Sequence, residues 1–232
     1  MAGTGTDGRI ERGNQTRRAI LHKAVRIASV EGLEGLSLGR LAGELSLSKS
    51  GVFALFGSKE ELQLATVRAA VKVFIERVVQ PARDLPAGLG RLRCLCGNWL
   101  LYSEQRVFPG GCFFYSVSAE YDARQGKVHD AVASAHGNWF TLVEQTIDEA
   151  KEAGEIRPAT DSAQLAFELV ALLEMANAES VLHGNFTCYR RAADGIISRL
   201  RDAATDPSLL PDTLEPPVTT VLAGPDRRHH AI

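Results

Sequence analysis

Apolar residues recur at the spacing of an amphipathic helix along most of the 232-residue chain. No segment alternates apolar and polar residues between hairpin turns, as a half-buried strand would. The pattern therefore predicts an all-α fold. Because 45% of the residues are hydrophobic, a chain of this length buries a sizeable core without disulfide bonds.

The sequence excludes several classes of protein. The longest nearly apolar stretch, residues 169–176, contains Glu174 and is too short to cross a bilayer. Residues 1–8 have no apolar core of a secretory signal. The four cysteines show no C-x-x-C pairs of the zinc-binding kind. We therefore expect a cytoplasmic protein with no membrane segment, no metal site, no cofactor and no catalytic residues.

Charge is distributed unevenly, although the formal net charge is only −2. Residues 9–26 carry six basic side chains and one acidic one, whereas residues 110–180 carry four basic and twelve acidic ones. This asymmetry favours an N-terminal end that faces nucleic acid and a body that repels phosphate. A solvated charged face would have the same composition.

Serine and glycine residues mark the ends of the first predicted helices. Gly32 ends a helix that starts at about residue 14 or 16, Ser37 caps a short second helix, and Ser58 opens a longer helix that Pro81 ends. Further helices are predicted at about residues 49–56, 87–104, 111–121, 124–153, 162–182 and 188–203.

The helix pattern and the prolines divide the chain into four parts. Five of the nine prolines follow Asp206, in a segment with no apolar periodicity. The predicted parts are a flexible arm at 1–13, a helix-turn-helix domain at 14–60, a helical ligand-binding and dimerisation domain at 61–205, and a disordered proline-rich tail at 206–232.

Residues 38–56 predict two short helices joined by a tight turn. The apolar residues of this segment lie at the positions that the shared core of a helix-turn-helix requires. The second helix enters the major groove in readers of this kind, and its first turn projects short polar and small side chains. These residues are Ser48, Lys49, Ser50, Gly51 and Phe53. An ordinary helical hairpin with an exposed lysine would show a similar pattern.

Five sequence elements in residues 16–65 occur in the order typical of one family. They are Thr16-Arg17-Arg18-Ala19-Ile20-Leu21, Glu31-Gly32, Leu36-Ser37-Leu38, Ser48-Lys49-Ser50-Gly51-Val52-Phe53 and Phe56-Gly57-Ser58-Lys59-Glu60-Glu61-Leu62. In these elements the chain resembles the TetR family of transcriptional regulators. The resemblance implies an all-helical homodimer with three-helix heads that bind a palindromic operator in double-stranded DNA. It also implies larger bodies that bind a small-molecule inducer, and hence a ligand-responsive regulator, expected to be a repressor.

The resemblance assigns roles to individual head residues. Lys49, Ser50 and Gly51 would approach base edges, and Phe53 would pack on the sugar-phosphate chain. The residues expected to contact the DNA backbone are Arg17, Ser37, Arg40 and Lys59.

Three head residues depart from the family pattern. Phe53 stands where a tyrosine is usual, Leu55 where a histidine is frequent, and Ser46 where a glycine is often found at the bend. The tyrosine hydroxyl donates to phosphate, so we expect one backbone contact to be missing here.

Aromatic residues on the middle helices are candidates for an inducer site, because such sites are mostly apolar with a few polar groups. Glu174 and Asn177 interrupt an apolar helix and lie on one face of it. The ligand-binding candidates are Trp99, Tyr102, Phe113, Trp139, Glu174 and Asn177. Each of them could instead be a core or interface residue.

The last two helices are the predicted dimer interface, through a four-helix bundle. The stripes expected there are Leu165, Leu169, Leu173, Ala176 and Ser180, and Ala193, Ile196, Ile197 and Leu200. Packing within one chain requires much the same pattern.

Two alternatives belong to other classes. A small all-helical enzyme would need a nucleophile with a base and an orienting group, and no such spacing is present. A thiol-based sensor would use Cys112, which follows two glycines and precedes two phenylalanines. A buried, inert cysteine explains the same position.

Overall fold

The computed structural model describes residues 4–214. Within them the secondary structure consists of helices, turns and two isolated bridges, with no β-strand, which confirms the all-α prediction. The α-helices are α1 (Thr4–Glu31), α2 (Leu38–Glu44), α3 (Lys49–Phe56), α4 (Lys59–Phe74), α5 (Gln80–Arg83), α6 (Leu89–Glu104), α7 (Phe113–Tyr121), α8 (Lys127–Glu152), α9 (Ser162–His183) and α10 (Thr187–Ala203).

The helix ends follow the local chemistry of the sequence. Ser37, Ser48 and Ser58 cap α2, α3 and α4, and in each case the serine Oγ accepts a hydrogen bond from the backbone N–H three residues later, at 3.1 Å. Gly32 and Gly57 follow α1 and α3 with φ values of 77° and 74°, which glycine adopts without steric cost.

The long helix that starts after Ser58 continues past the predicted stop at Pro81. After α4 the chain forms a π-helical turn at Ile75–Val79 and then α5, where Pro81 lies in the first turn. A proline is tolerated there because first-turn N–H groups have no intrahelical partner. Pro81 therefore permits a short continuation of the helix.

Contacts divide the chain into two compact units that differ from the predicted domains. The N-terminal unit contains the residues up to Glu76 together with Arg106–Leu142, and the C-terminal unit contains Arg77–Gln105 together with the residues from Val143 onward. Thus α7 and the first part of α8 belong with the helix-turn-helix, although they are remote from it in sequence.

Each unit has its own apolar core. Fully buried large side chains of the N-terminal unit are Ile20, Leu33, Leu36, Leu41, Leu62, Phe108 and Phe113. Those of the C-terminal unit include Leu92, Leu95, Tyr102, Ile147 and Ile156.

The structure differs from two predictions, the flexible arm at 1–13 and the disordered tail at 206–232, in the residues that it describes. α1 begins at Thr4, so residues 4–13 continue the helix, as expected when adding a residue to an existing helix is favourable. At the other end, Leu210 and Leu214 are buried and Arg201 pairs with Asp212 at 2.7 Å. Two buried leucines anchor residues 206–214 without any helical periodicity. The rest of the predicted tail, residues 215–232, lies outside the described residues.

The predicted dimer stripes are corrected as well. All five residues of the α9 stripe, and Ile196, Ile197 and Leu200 of the α10 stripe, are buried within the chain. α9 packs against both α10 and α6 of the C-terminal unit, so these side chains are covered within one chain. The stripes therefore reflect intramolecular packing, the alternative that the sequence left open.

In the part of the chain that the structure describes, no helix combines the length and the apolar character that crossing a membrane requires.

Candidate nucleic-acid interface and ligand-binding residues

The first turn of α3 is presented to solvent. Lys49, Ser50 and Gly51 are exposed, and Phe53 exposes 58% of its surface one turn further along. Ser48 holds the start of the helix by accepting from the Gly51 N–H. This is the arrangement that a recognition helix requires, because base edges are read by side chains in its first turns.

The opposite face of α3 is packed against α2. Val52 and Phe56 are buried, as are Leu41 and Ala42 on the preceding helix. Ser46 lies at the bend with a φ of 54°, a left-handed conformation that glycine adopts more readily. Serine therefore adopts, at the bend, a backbone conformation that favours the glycine expected there.

Arg17 joins α1 to the end of α3. Its guanidinium donates a hydrogen bond to the Leu55 carbonyl oxygen at 2.6 Å and lies 4.5 Å from the ring centroid of Phe56. Arg17, predicted to bind phosphate, thus also fixes the position of the recognition helix.

Arg40 is engaged by acidic side chains on both sides. It pairs with Glu31 and Glu44, and Lys23 also pairs with Glu44 at 2.6 Å. Hydrogen bonds from Lys23 and Arg40 lower the pKa of Glu44, and the hydrogen bonds that Arg40 donates to Glu31 and Glu44 raise the pKa of Arg40. These intramolecular pairs compete with the predicted phosphate contact of Arg40.

Lys59 is held at the turn between α1 and α2. Its Nζ donates to the carbonyl oxygen and to the carboxylate of Glu34, both at 2.8 Å. Hydrogen bonds from Lys59, Gln63 and Tyr121 lower the pKa of Glu34 to about 2. The pKa of Tyr121 is raised by burial and then by Glu34. A lysine ammonium has three donors, so one N–H of Lys59 is left for a further acceptor.

The same turn is held by residues that sequence reasoning missed. Glu120 on α7 accepts from the backbone N–H groups of Leu33 and Glu34 at 2.7 and 2.8 Å. Gln63 on α4 donates to the Leu33 carbonyl oxygen at 3.0 Å. No sequence signal marks these contacts, because Glu120 lies more than 80 positions from the turn.

Four of the predicted ligand-binding residues lie in the C-terminal unit. Trp99 and Tyr102 are buried, with ring centroids 6.4 Å apart. Asn177 is buried and accepts from the Ser103 hydroxyl at 2.8 Å. Glu174 is only half-buried, so the desolvation that would have favoured a ligand role for its carboxylate is weak.

A buried polar network surrounds Asn177. The Tyr189 hydroxyl lies 2.8 Å from the hydroxyl oxygens of both Ser103 and Ser180. The network joins α6, α9 and α10 and was not predicted, because a tyrosine in α10 does not reveal its partners in sequence. Its groups satisfy one another, which favours a structural role for Asn177.

The other two candidates, Phe113 and Trp139, lie in an aromatic cluster of the N-terminal unit. Ring centroids lie 5.3 Å apart between Phe113 and Phe114, 5.8 Å between Phe114 and Phe74, and 5.2 Å between Phe74 and Trp139. All three pairs are edge-to-face, a favourable aromatic geometry. The six candidates are thus divided between the two units.

The cysteines are buried and form no disulfide bond in the described residues. Burial raises the pKa of Cys96 to about 12, which leaves that thiol protonated and unreactive. Cys112 immediately precedes α7 and is 4% exposed. No group of three or more potential metal-binding side chains occurs among residues 4–214.

Two protein-family models match the chain. Residues 20–66 match the bacterial regulatory proteins of the TetR family, and residues 88–196 match the tetracyclin repressor-like C-terminal domain. No curated protein sequence matches the chain.

Solved structures of similar fold include regulators of the same kind. A TetR transcriptional regulator from Chloroflexus aurantiacus is 23% identical, with 78% of this chain and 92% of that chain covered and a TM-score of 0.73. A TetR-family regulator from Streptomyces coelicolor is also 23% identical, with 83% and 96% covered and a TM-score of 0.69. AibR, solved in complex with isovaleryl coenzyme A and operator DNA, is 22% identical, with 76% and 93% covered and a TM-score of 0.62.

The helix-turn-helix and the helical body together define a transcriptional regulator. The chain belongs to the TetR family.

Proposed function

We propose that this protein is a repressor that binds a palindromic operator as a homodimer and is released by a small-molecule inducer. The observation that carries the proposal is the exposed first turn of α3, with Lys49, Ser50 and Gly51 in solvent while Val52 and Phe56 are buried against the head. The same helix therefore combines a free reading surface with a fixed orientation. Operator binding places the protein in the cytoplasm.

The head residues are assigned two kinds of contact. Lys49 is exposed at the start of α3, so its ammonium is available to the acceptor atoms of a base. Phe53 packs on the sugar-phosphate chain. Lys59 and Arg17 contact phosphate with the donors that their intramolecular hydrogen bonds leave over. Ser37, at the start of α2, contacts the DNA backbone.

The homodimer is assigned to a face of α9 other than the predicted stripe. Phe167 and Met175 are each 60% exposed and Leu182 is 77% exposed, although all three are large and apolar. With the exposed Ala171 between the first two, they lie four, four and seven positions apart, on one face of the helix. A second copy that covers this face would remove the apolar surface from water through an isologous contact.

The inducer response is supported by the buried aromatic residues and by AibR, a similar fold solved with both a ligand and operator DNA. The ligand-binding candidates are divided between the two units. An inducer that binds within one unit therefore contacts either Phe113 and Trp139 or the residues around Trp99. A ligand releases DNA only if it binds one conformation of the dimer more tightly than the other.

The proposal is tested by selecting genomic fragments with the purified protein at physiological salt. A palindrome should be recovered, with half-sites about one helical turn apart. Lys49→Ala should lose affinity for the palindrome only, whereas Lys59→Ala should weaken binding to every duplex and flatten the salt dependence. Retention of fragments without a shared sequence, or an equal loss of specificity in both variants, would contradict the proposal.

A further inference from the structure

Two buried polar atoms in the N-terminal unit have no hydrogen-bond partner among the described residues. They are Nε1 of Trp139, on α8, and Oγ of Ser118, on α7. Trp139 is 7% exposed, so water does not readily take the place of a partner. A buried donor without an acceptor is costly in a folded protein and calls for a specific explanation.

Trp139 belongs to the aromatic cluster, and Ser118 follows the cluster residue Phe114 on α7. The Trp139 ring meets Phe74 edge to face, and Phe74 meets Phe114 in the same way. Ser118 lies one turn after Phe114 on α7 and hence on the same face of that helix. Phe74 and Phe114 therefore link the indole of Trp139 to the face of α7 that carries Ser118.

No charged side chain is buried among residues 11–76 and 106–142. The buried polar residues in these ranges are Ser29, Gln63 and Thr66, all neutral and all hydrogen-bonded within the unit. An ionised ligand would lose its hydration here without gaining a counter-charge. A neutral ligand would lose far less.

Three rings of the cluster keep a small exposed surface. Phe113 is fully buried, whereas Phe74, Phe114 and Trp139 each keep 7–9% of their surface exposed. We expect a ligand to approach the indole through this exposed surface rather than past the fully buried Phe113.

We propose that the N-terminal unit binds an uncharged, largely apolar ligand in this cluster, with a carbonyl-type acceptor on Trp139 Nε1 and a second polar contact at Ser118. This inference rests on the proposed inducer response and names the chemical class of its ligand. It assigns the inducer contact to Trp139 and Phe113. The other candidates are then structural residues of the C-terminal unit: Trp99, Tyr102, Glu174 and Asn177.

Three probes of one shape test the ligand class. Acetophenone carries a carbonyl acceptor, α-methylstyrene replaces that oxygen by carbon, and benzoate adds a charge. The chain has two tryptophans, so its ¹H–¹⁵N spectrum contains two indole resonances, and Trp139→Phe identifies one by removing it. Acetophenone should shift the Trp139 resonance of the full-length protein, and benzoate should not.

Two variants separate a polar contact from mere packing. Trp139→Phe keeps an aromatic ring but loses the donor, so it should weaken acetophenone about tenfold and leave α-methylstyrene unchanged. Ser118→Ala should weaken acetophenone to a lesser degree. Ser116→Ala is the matched control, because its hydroxyl already donates to the Cys112 carbonyl oxygen at 3.3 Å.

The inference is overturned if acetophenone leaves the Trp139 resonance in place, if benzoate binds at least as well, or if Trp139→Phe weakens both neutral probes equally. Operator binding by the same samples without any probe is measured separately. A protein that binds its operator but not acetophenone refutes this inference alone, whereas loss of operator binding bears on the proposed function.

Discussion

Glu120 accepts a hydrogen bond from the backbone N–H of Leu33 at 2.7 Å and thereby joins α7 to the turn that follows α1. A second backbone N–H of the turn, at Glu34, donates to the other carboxylate oxygen. The turn leads directly into the helix-turn-helix, so a residue outside the predicted DNA-binding domain fixes the start of that motif.

Removal of this carboxylate should destabilise the turn. Glu120→Ala leaves two backbone donors without their acceptor and should lower the free energy of unfolding by about 2 kcal/mol. Operator affinity should fall as well, because α2 loses its support. Asp122→Ala is the control, since Asp122 is an exposed carboxylate two positions from Glu120. Chemical denaturation of both variants measures the difference, and equal stabilities would rule out the anchor.

Gly110 should tolerate no side chain. A Cβ atom there would collide with the Ser29 carbonyl oxygen of α1, and the Gly110 N–H also donates to the Ser29 hydroxyl at 3.3 Å. Gly110→Ala should therefore cost about 2 kcal/mol of stability.

Gly137→Ala provides the matched comparison for Gly110. Gly137 lies within α8 with open space around it, so alanine should stabilise the protein by about 0.5–1 kcal/mol. Thermal melts of the two variants should move in opposite directions. A Gly110→Ala variant as stable as the original chain would disprove the close approach.

The ion pair of Glu34 should make stability depend on pH in the acid range. The pKa of Glu34 is lowered from its ordinary value of 4.5 to about 2, so its contribution is present above about pH 4.5 and is lost as the pH falls towards 2. Because Glu34 is partly exposed, solvent limits the size of the effect.

Glu34→Gln should flatten this dependence when the free energy of unfolding is followed between about pH 5 and 2.5. Asp122→Asn removes an acid of the same unit and should retain the slope of the original protein. An unchanged slope in Glu34→Gln would show that the carboxylate is not held as described.

A charge on the exposed face of α9 should dissociate the dimer. Met175→Glu buries two unpaired carboxylates in an isologous interface, one from each copy, and should raise the dimer dissociation constant at least tenfold. Leu209→Glu is the control, because Leu209 is 59% exposed but lies beyond α10. Analytical ultracentrifugation distinguishes the two, and a dimer that tolerates Met175→Glu assembles through another surface.

Local chemistry made much of the head predictable. The capping serines and Gly32 mark helix ends through interactions within a few residues, and helical periodicity places the buried Val52 and Phe56. These signals do not depend on the rest of the fold.

What escaped prediction depends on partners remote in sequence. Glu120 and Gln63 act on the α1–α2 turn across 87 and 30 positions, and Tyr189 meets Ser103 across 86. The α9 stripe shows the same limit, because periodicity predicts an apolar face without telling whether α10 or a second copy covers it.

A dimer that reads DNA through α3 should prefer one sequence over all others. The most direct measurement titrates the protein against the selected palindrome and a scrambled duplex of equal length at about 0.15 M salt. Two chains should bind each palindrome with an affinity at least about 10³ times that for the scrambled duplex, and Lys49→Ala should lose about 1–3 kcal/mol on the palindrome alone. Equal affinity for both duplexes would show that α3 does not read the DNA sequence.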